Sequence, residues 1–204
     1  MGLLSSSVSI TQYKVEGKIK KPVNDSVLEG LKKNSIRDSE KKSEDFLSGW
    51  TSFENPYNPE FKLSEVSIAS HFVFSLRIDK KNIPAKVLKK YYFMEMARRL
   101  SETGREYLSK NEKSEIRDHV KSVLSLRIPA TPNIYDIIWN YEEGKLWFFS
   151  NLKSANEEIE TLFSKSFNIT LIRVFPFTLS DMMAGLSTSE KDRLVKLSPT
   201  TFTG

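Results

Sequence analysis

The chain has 204 residues, 39% apolar and 28% charged, which is the composition of a globular protein with a core of its own. It has no cysteine and two widely separated histidines, His71 and His119, which excludes a disulfide framework and a thiolate nucleophile and argues against a zinc site. No apolar run approaches the roughly 20 residues of a membrane span and the N-terminus lacks the basic segment of a signal peptide, so the expected location is the cytoplasm.

In chain order, SVSITQYKVEG (7–17) alternates and is rich in β-branched residues, so it reads as a strand. NDSVLEGLKKNS (24–35) carries Val27, Leu28 and Leu31 behind Asn24 or Asp25 as N-cap, and reads as a short helix. Residues 35–48 are polar and predict a loop or weak helix. GWTSFENPYNP (49–59) holds a strand that its prolines end, with Trp50, Phe53, Tyr57 and Phe61 expected to pin the segment to the core. SIASHFVFSLRIDKKNIP (67–84) predicts a strong strand with a basic turn, and His71 is an ordinary sheet histidine within it.

Pro84 suits a first helical turn and Gly104 a stop, which predicts a helix over 85–103. Tyr91, Tyr92, Phe93, Met94 and Met96 occupy most faces of its middle, so it is expected to be largely buried between a sheet and another helix. Ser109 and Glu112 make the S-x-x-E signature of a second helix. Its apolar stripe is Ile116, Val120, Val123 and Leu124, and Pro129 and Pro132 end it. NIYDIIWNYEEGKLWFFSN (133–151) predicts a hairpin turning at EEGK. SANEEIETLFSKSF (154–167) predicts a helix capped by Ser154 that buries Ile159, Leu162 and Phe163. NITLIRVFPF (168–177) predicts a closing strand, and the residues after Leu179 a loose polar tail.

The order β-α-β-β-α-α-β-β-α-β predicts an α+β fold, mainly antiparallel sheet with packed helices. The expectation is one domain over 1–179, built from two pseudo-related α/β halves (1–103 and 104–179) joined by the two central helices, with a polar tail over 180–204.

The net charge is +5, and its location matters more than its size. Residues 77–127 hold 14 Lys/Arg against 7 Asp/Glu, whereas the rest of the chain holds 17 against 19. At about 100° per residue, Lys110, Lys113, Arg117 and Lys121 fall within about 80° of one another on the second central helix. That row runs beside the apolar stripe, while Glu112, Glu115 and Asp118 point away from it. Long cationic side chains at the rim of a buried stripe can lie along the protein and present their charges into an adjoining groove, where a phosphate backbone could run. Further cations surround the row: Arg77, Lys80 and Lys81 at the strand turn, Lys86, Lys89, Lys90, Arg98 and Arg99 on the first helix, then Arg105 and Arg127. No zinc-finger spacing, RNA-recognition aromatic motif or helix-turn-helix accompanies them, which favours backbone binding without sequence preference.

An ordered set of segments resembles the RdgC, or recombination-associated, proteins of bacteria: GW at Gly49 and Trp50, LRIDKKNIPAKVLKK (76–90), GREYLSKNEKSEIRDHV (104–120), LSLRIPATPNIYDIIWN (124–140) and GKLWFFSNLKSANEEIETLFSKSF (144–167). The resemblance spans roughly residues 5–178. It implies a homodimer that closes as a ring around duplex DNA, with a basic inner surface, little sequence preference and an antagonism to the RecA recombinase through limited access to DNA. It also implies a nucleoid-associated location. The basic residues of 76–90 and 104–127 match the family's basic segments. Two features depart from the pattern: longer members continue well past this chain's last residue, and the family's aromatic after the arginine corresponding to Arg127 is replaced by Ile128 and Pro129.

Two rival readings remain open. A metal-dependent exonuclease needs clustered carboxylates and a nearby lysine, for which Asp136, Glu143 and Lys145 are the nearest candidates, although EEGK reads as an exposed turn. A protein-interaction module acting on recombination or phage partners would have no affinity for DNA. No phosphate-binding glycine loop is present, and no catalytic residue, metal or cofactor is assigned.

Overall fold

The computed structural model describes residues 2–37 and 45–197. Strands β1 (Thr11–Glu16), β2 (Phe46–Thr51), β3 (Ser67–Ile68), β4 (His71–Lys80), β5 (Thr131–Asn140), β6 (Lys145–Phe148) and β7 (Thr170–Arg173) form one antiparallel sheet. Its order is β2-β4-β5-β6-β1-β7, with β3 paired to β4. Seven helices accompany it among the described residues: α1 (Val23–Lys33), α2 (Leu63–Val66), α3 (Ala85–Thr103), α4 (Lys110–Arg127), α5 (Lys153–Phe167), α6 (Pro176–Ala184) and α7 (Thr188–Lys196). The α+β class expected from the sequence is the one observed.

The register explains the alternation in the sequence. Tyr13 of β1 sits opposite Leu146 of β6, and Leu146 opposite Trp139 of β5. All three are buried and lie on one face of the sheet. The β5–β6 turn is closed by Gly144 at φ 62°, a left-handed conformation that favours glycine. Helix α5 buries Ala155, Ile159, Leu162 and Phe163. The Phe163 ring meets Trp139 edge-on with centroids 4.9 Å apart, and Phe167 meets Trp139 at 5.3 Å. Helix α1 packs beside α5, and a Cβ on Gly30 would lie 2.6 Å from the Phe167 ring, so glycine permits that close approach. Tyr13 donates its hydroxyl proton between Asn156 Oδ1 (2.6 Å) and Glu160 Oε1 (2.9 Å). Burial and the Glu160 carboxylate both push its phenol well above the ordinary range.

Several local expectations change. Helix α1 has Pro22 as its N-cap rather than Asn24 or Asp25, which lie inside the first turn. Helix α5 begins at Lys153, so Ser154 is helical and not a cap. The expectation of a loop or weak helix over 35–48 falls mostly on residues 38–44, outside the described residues, while β2 already starts at Phe46. Trp50 and Phe61 are buried as expected, but Tyr57 is exposed.

The segment after Leu179, expected as a loose tail, carries two short helices. Pro176 occupies the first turn of α6, and the Phe175 N–H donates to Thr178 Oγ1 at 2.8 Å. At the start of α7, Glu190 accepts from the Ser187 N–H at 2.9 Å and from its hydroxyl at 2.6 Å. Lys191 of α7 pairs with Asp181 of α6 at 2.7 Å. The part of the expected tail over 198–204 lies outside the described residues.

By internal contact the chain divides into two compact units, Met1–Ser35 with Trp50–Leu76 and Tyr135–Gly204, and Ile36–Gly49 with Arg77–Ile134. They interleave along the sequence. The second unit contains α3 and α4 whole. No helix among the described residues is long and apolar enough to cross a membrane.

Candidate nucleic-acid interface

Helix α3 has the limits the sequence predicts, with Pro84 as N-cap and Gly104 left-handed at the C-cap. Helix α4 begins with the expected capping box: the Ser109 hydroxyl accepts from the Glu112 N–H at 3.3 Å, and Glu112 accepts from the Ser109 N–H at 2.9 Å. Arg105 adds a 2.6 Å ion pair to the same carboxylate.

These contacts hold the Glu112 carboxyl down at about 2, the Arg105 guanidinium contributing most and the Ser109 N–H next. Because the folded value lies below the ordinary one of about 4.3, ionised Glu112 stabilises the first turn of α4 at neutral pH. That contribution fades as pH falls from about 4.5 toward 2. Carbon-detected NMR titration is expected to place the Glu112 midpoint near 2 in the wild type and higher in Arg105→Ala. A wild-type midpoint near 4 would mean that the link to Arg105 does not form in solution.

The two helices bury Leu108, Ile116, Val120 and Leu124, against which Val87, Leu88, Tyr92, Met96 and Leu100 of α3 pack half-buried. No residue of α3 is fully buried. This corrects the expectation of a largely buried helix. Within this unit α4 covers one side of α3, and one covered side cannot shelter apolar residues spread around the whole circumference. Tyr91, Phe93 and Met94 are therefore exposed, Phe93 by 51% and Met94 by 57%.

Lys110, Lys113, Arg117 and Lys121 are all exposed on α4, beside the buried stripe as the helical spacing requires. Among the described residues, none of the four is paired with a carboxylate. Lys110 occupies the first helical position, where the helix dipole disfavours a cation by a few tenths of a kcal/mol.

Beside the helix–helix contact runs a groove of about 470 Å³, lined on α3 by Leu88, Lys89, Tyr92 and Phe93 and on α4 by Lys113, Ser114 and Arg117. No carboxylate lines it. Lys89 Nζ lies 5.8 Å from the centroid of the Phe93 ring, at cation–π distance. Lys113 and Arg117 thus bring the middle of the basic row to this groove, and Lys110 and Lys121 continue it to either side along α4. A second groove, of about 230 Å³, has mixed charge, with Glu95, Arg98, His119 and Arg127 in its walls.

The remaining sequence candidates divide. Arg77 is not a surface cation. It is 7% exposed and grips Asp79, two residues on along the same face of β4, with bonds of 2.8 Å from Nε and 2.5 Å from an Nη atom. Arg98 is bound by Glu95 at 2.6 Å and Glu102 at 3.1 Å, and it holds the Glu95 carboxyl below its usual range. Arg99 lies 3.9 Å from Glu115, and Arg105 is committed to Glu112. Lys80, Lys86, Lys90 and Arg127 are exposed, with Lys90 Nζ 5.7 Å from the Tyr91 ring. Lys81 is half-buried, and its N–H donates to the Asp45 carbonyl at 3.0 Å. Lys89, Lys113 and Arg117 are the ones that converge. Phe93 and Tyr92 are the site residues the sequence reading assigned to the core.

The residues considered for a nuclease do not form a cluster. Asp136 is buried, with one carboxylate oxygen accepting from Ser75 Oγ at 2.8 Å and the other from the Leu3 N–H at 2.7 Å. Glu143 pairs with Lys145 at 2.7 Å in the exposed turn. Among the described residues no group of three or more His, Cys, Asp or Glu side chains is placed to hold a metal ion. His71 stacks on Trp147 at 6.4 Å and contacts the Ser70 hydroxyl at 3.3 Å, as an ordinary sheet histidine would.

Compared with known proteins, the chain matches no protein-family model and no curated protein.

Proposed function

We propose that the chain binds DNA through its phosphate backbone, without sequence preference, using the exposed basic row of α4 and the groove it shares with α3. The observation that carries this reading is the convergence of Lys89, Lys113 and Arg117 on one groove from which carboxylates are missing. Unpaired exposed cations gain little for folding, whereas a polyanion along them releases condensed counterions. The concentration of charge in 77–127 and the lack of any base-reading motif favour the same ligand.

The sequence resemblance to the RdgC family extends the proposal. Two copies would clamp or encircle duplex DNA and thereby limit the access of RecA. Such a protein would be nucleoid-associated and non-catalytic.

The test is fluorescence anisotropy of the purified chain with labelled duplexes of unrelated sequence, across a salt series. The expected result is binding that is indifferent to sequence, with a log–log salt slope of about −3 or steeper. Absence of binding even at low salt would overturn the proposal and favour a protein-interaction module. Sedimentation of the free and DNA-bound chain tests the dimer.

A further inference from the structure

Resting on the DNA-binding reading, we propose that the α3–α4 groove takes an unstacked nucleobase of single-stranded DNA against the Phe93 ring, with the adjoining phosphates on Lys113 and Arg117. Three observations carry this. Phe93 is 51% exposed, although it sits in the middle of a long helix. Its neighbours Leu88 and Tyr92 give the groove an apolar floor, so the site is not a purely ionic channel. The surrounding charge is entirely cationic, which suits a ligand with a flat apolar face and an anionic strand beside it.

A groove of about 470 Å³ has the size of a small-molecule site, large enough for a base and its sugar. Lys89 lies at cation–π distance from Phe93, so a cation stands beside the ring where a phosphate next to the stacked base would need one. An apolar peptide would leave three cations without counter-charge. A duplex would leave Phe93 unused, because its bases are stacked on each other and show only their edges. Trp139 and Phe148 are 1% and 0% exposed and belong to the core, while the exposed Tyr91 and Tyr107 do not line this groove.

The experiment compares wild type, Phe93→Ala and Phe93→Trp for anisotropy binding to labelled oligo(dT) and to a duplex, each across a salt series. The exposure of Phe93 allows all three to fold, which circular dichroism and melting confirm in parallel. Phe93→Ala is expected to weaken oligo(dT) binding by roughly 5- to 100-fold, as loss of one base–aromatic stack does. Its salt slope should be unchanged, since no phosphate contact is lost, and its duplex affinity should fall by several-fold less than its oligo(dT) affinity. Phe93→Trp should bind oligo(dT) at least as well as wild type. Equal loss on both ligands, or no loss on oligo(dT), would overturn the stacking site while the DNA-binding reading stands. Failure of the wild type to bind either ligand would overturn both.

Discussion

Reversing three charges on α4, with Lys113→Glu, Arg117→Glu and Lys121→Glu together, is expected to weaken duplex binding by about 100- to 1000-fold and to flatten the salt slope by about three. Non-specific dissociation constants of roughly 10⁻⁴–10⁻⁶ M are supplied by some 6–10 phosphate contacts, so each is worth about 1 kcal/mol. Three reversals lose that three times and add repulsion between the new carboxylates and the backbone. The fold should not register the change. All three side chains are exposed and make no ion pair among the described residues, and exposed substitutions of this kind stay within about 0.5 kcal/mol each. Near the start of α4 a glutamate at 113 is even favoured by the helix dipole. The control is the triple reversal of Lys18, Lys20 and Lys21, which are exposed and lie in the other compact unit. It alters net charge equally and should retain most of the binding. Equal loss in both variants would mean that total charge, not this face, attracts DNA.

The largest loss of stability is expected at Trp50. The residue is wholly buried. Its ring meets Phe74 edge-on at 5.3 Å and Phe163 at 6.4 Å, and stacks on Phe167 at 6.2 Å. Its indole N–H donates to Ser166 Oγ at 2.7 Å. One side chain therefore ties β2 to β4 and to three positions of α5. Trp50→Ala removes the whole cluster of contacts and opens a cavity, at a cost of about 3–5 kcal/mol. In a chain of this size that is a fall of roughly 6–20 °C in Tm, readable by calorimetry. Trp50→Phe should recover most of it, because Ser166 keeps its own bond to the Leu162 carbonyl at 2.7 Å and loses only a donor. A loss below about 1 kcal/mol for the alanine variant would mean that this aromatic cluster is not the centre of the core.

Elements with local signals were legible in the sequence. Pro84 and Gly104 delimit α3, Ser109 and Glu112 start α4, and EEGK turns the β5–β6 hairpin, because each depends on backbone requirements within a few residues. Helices α6 and α7 were missed although the same kind of signal was present, with Pro176 in a first turn and Ser187 three residues before Glu190. Their lack of a buried stripe hid them, since neither has a fully buried residue. The basic row of α4 was legible because helical angles follow from spacing alone. Two features depended on distant residues. Arg77 looks like its cationic neighbours until Asp79 is seen to take both arms of its guanidinium. Phe93 reads as core until α3 is found to have no fully buried residue and the ring to stand half exposed.

Helices α3 and α4 occupy the connection between β4 and β5, which are neighbours in the sheet. Adjacent antiparallel strands can be joined by as few as two residues. Everything from Lys81 to Ala130 is therefore surplus to what that pairing demands. Such an excursion can vary in length, charge and exposed aromatics without shifting the register of the strands it joins. Selection acting on ligand preference and selection acting on folding would then fall on different residues, and the first could change quickly while the second stayed still.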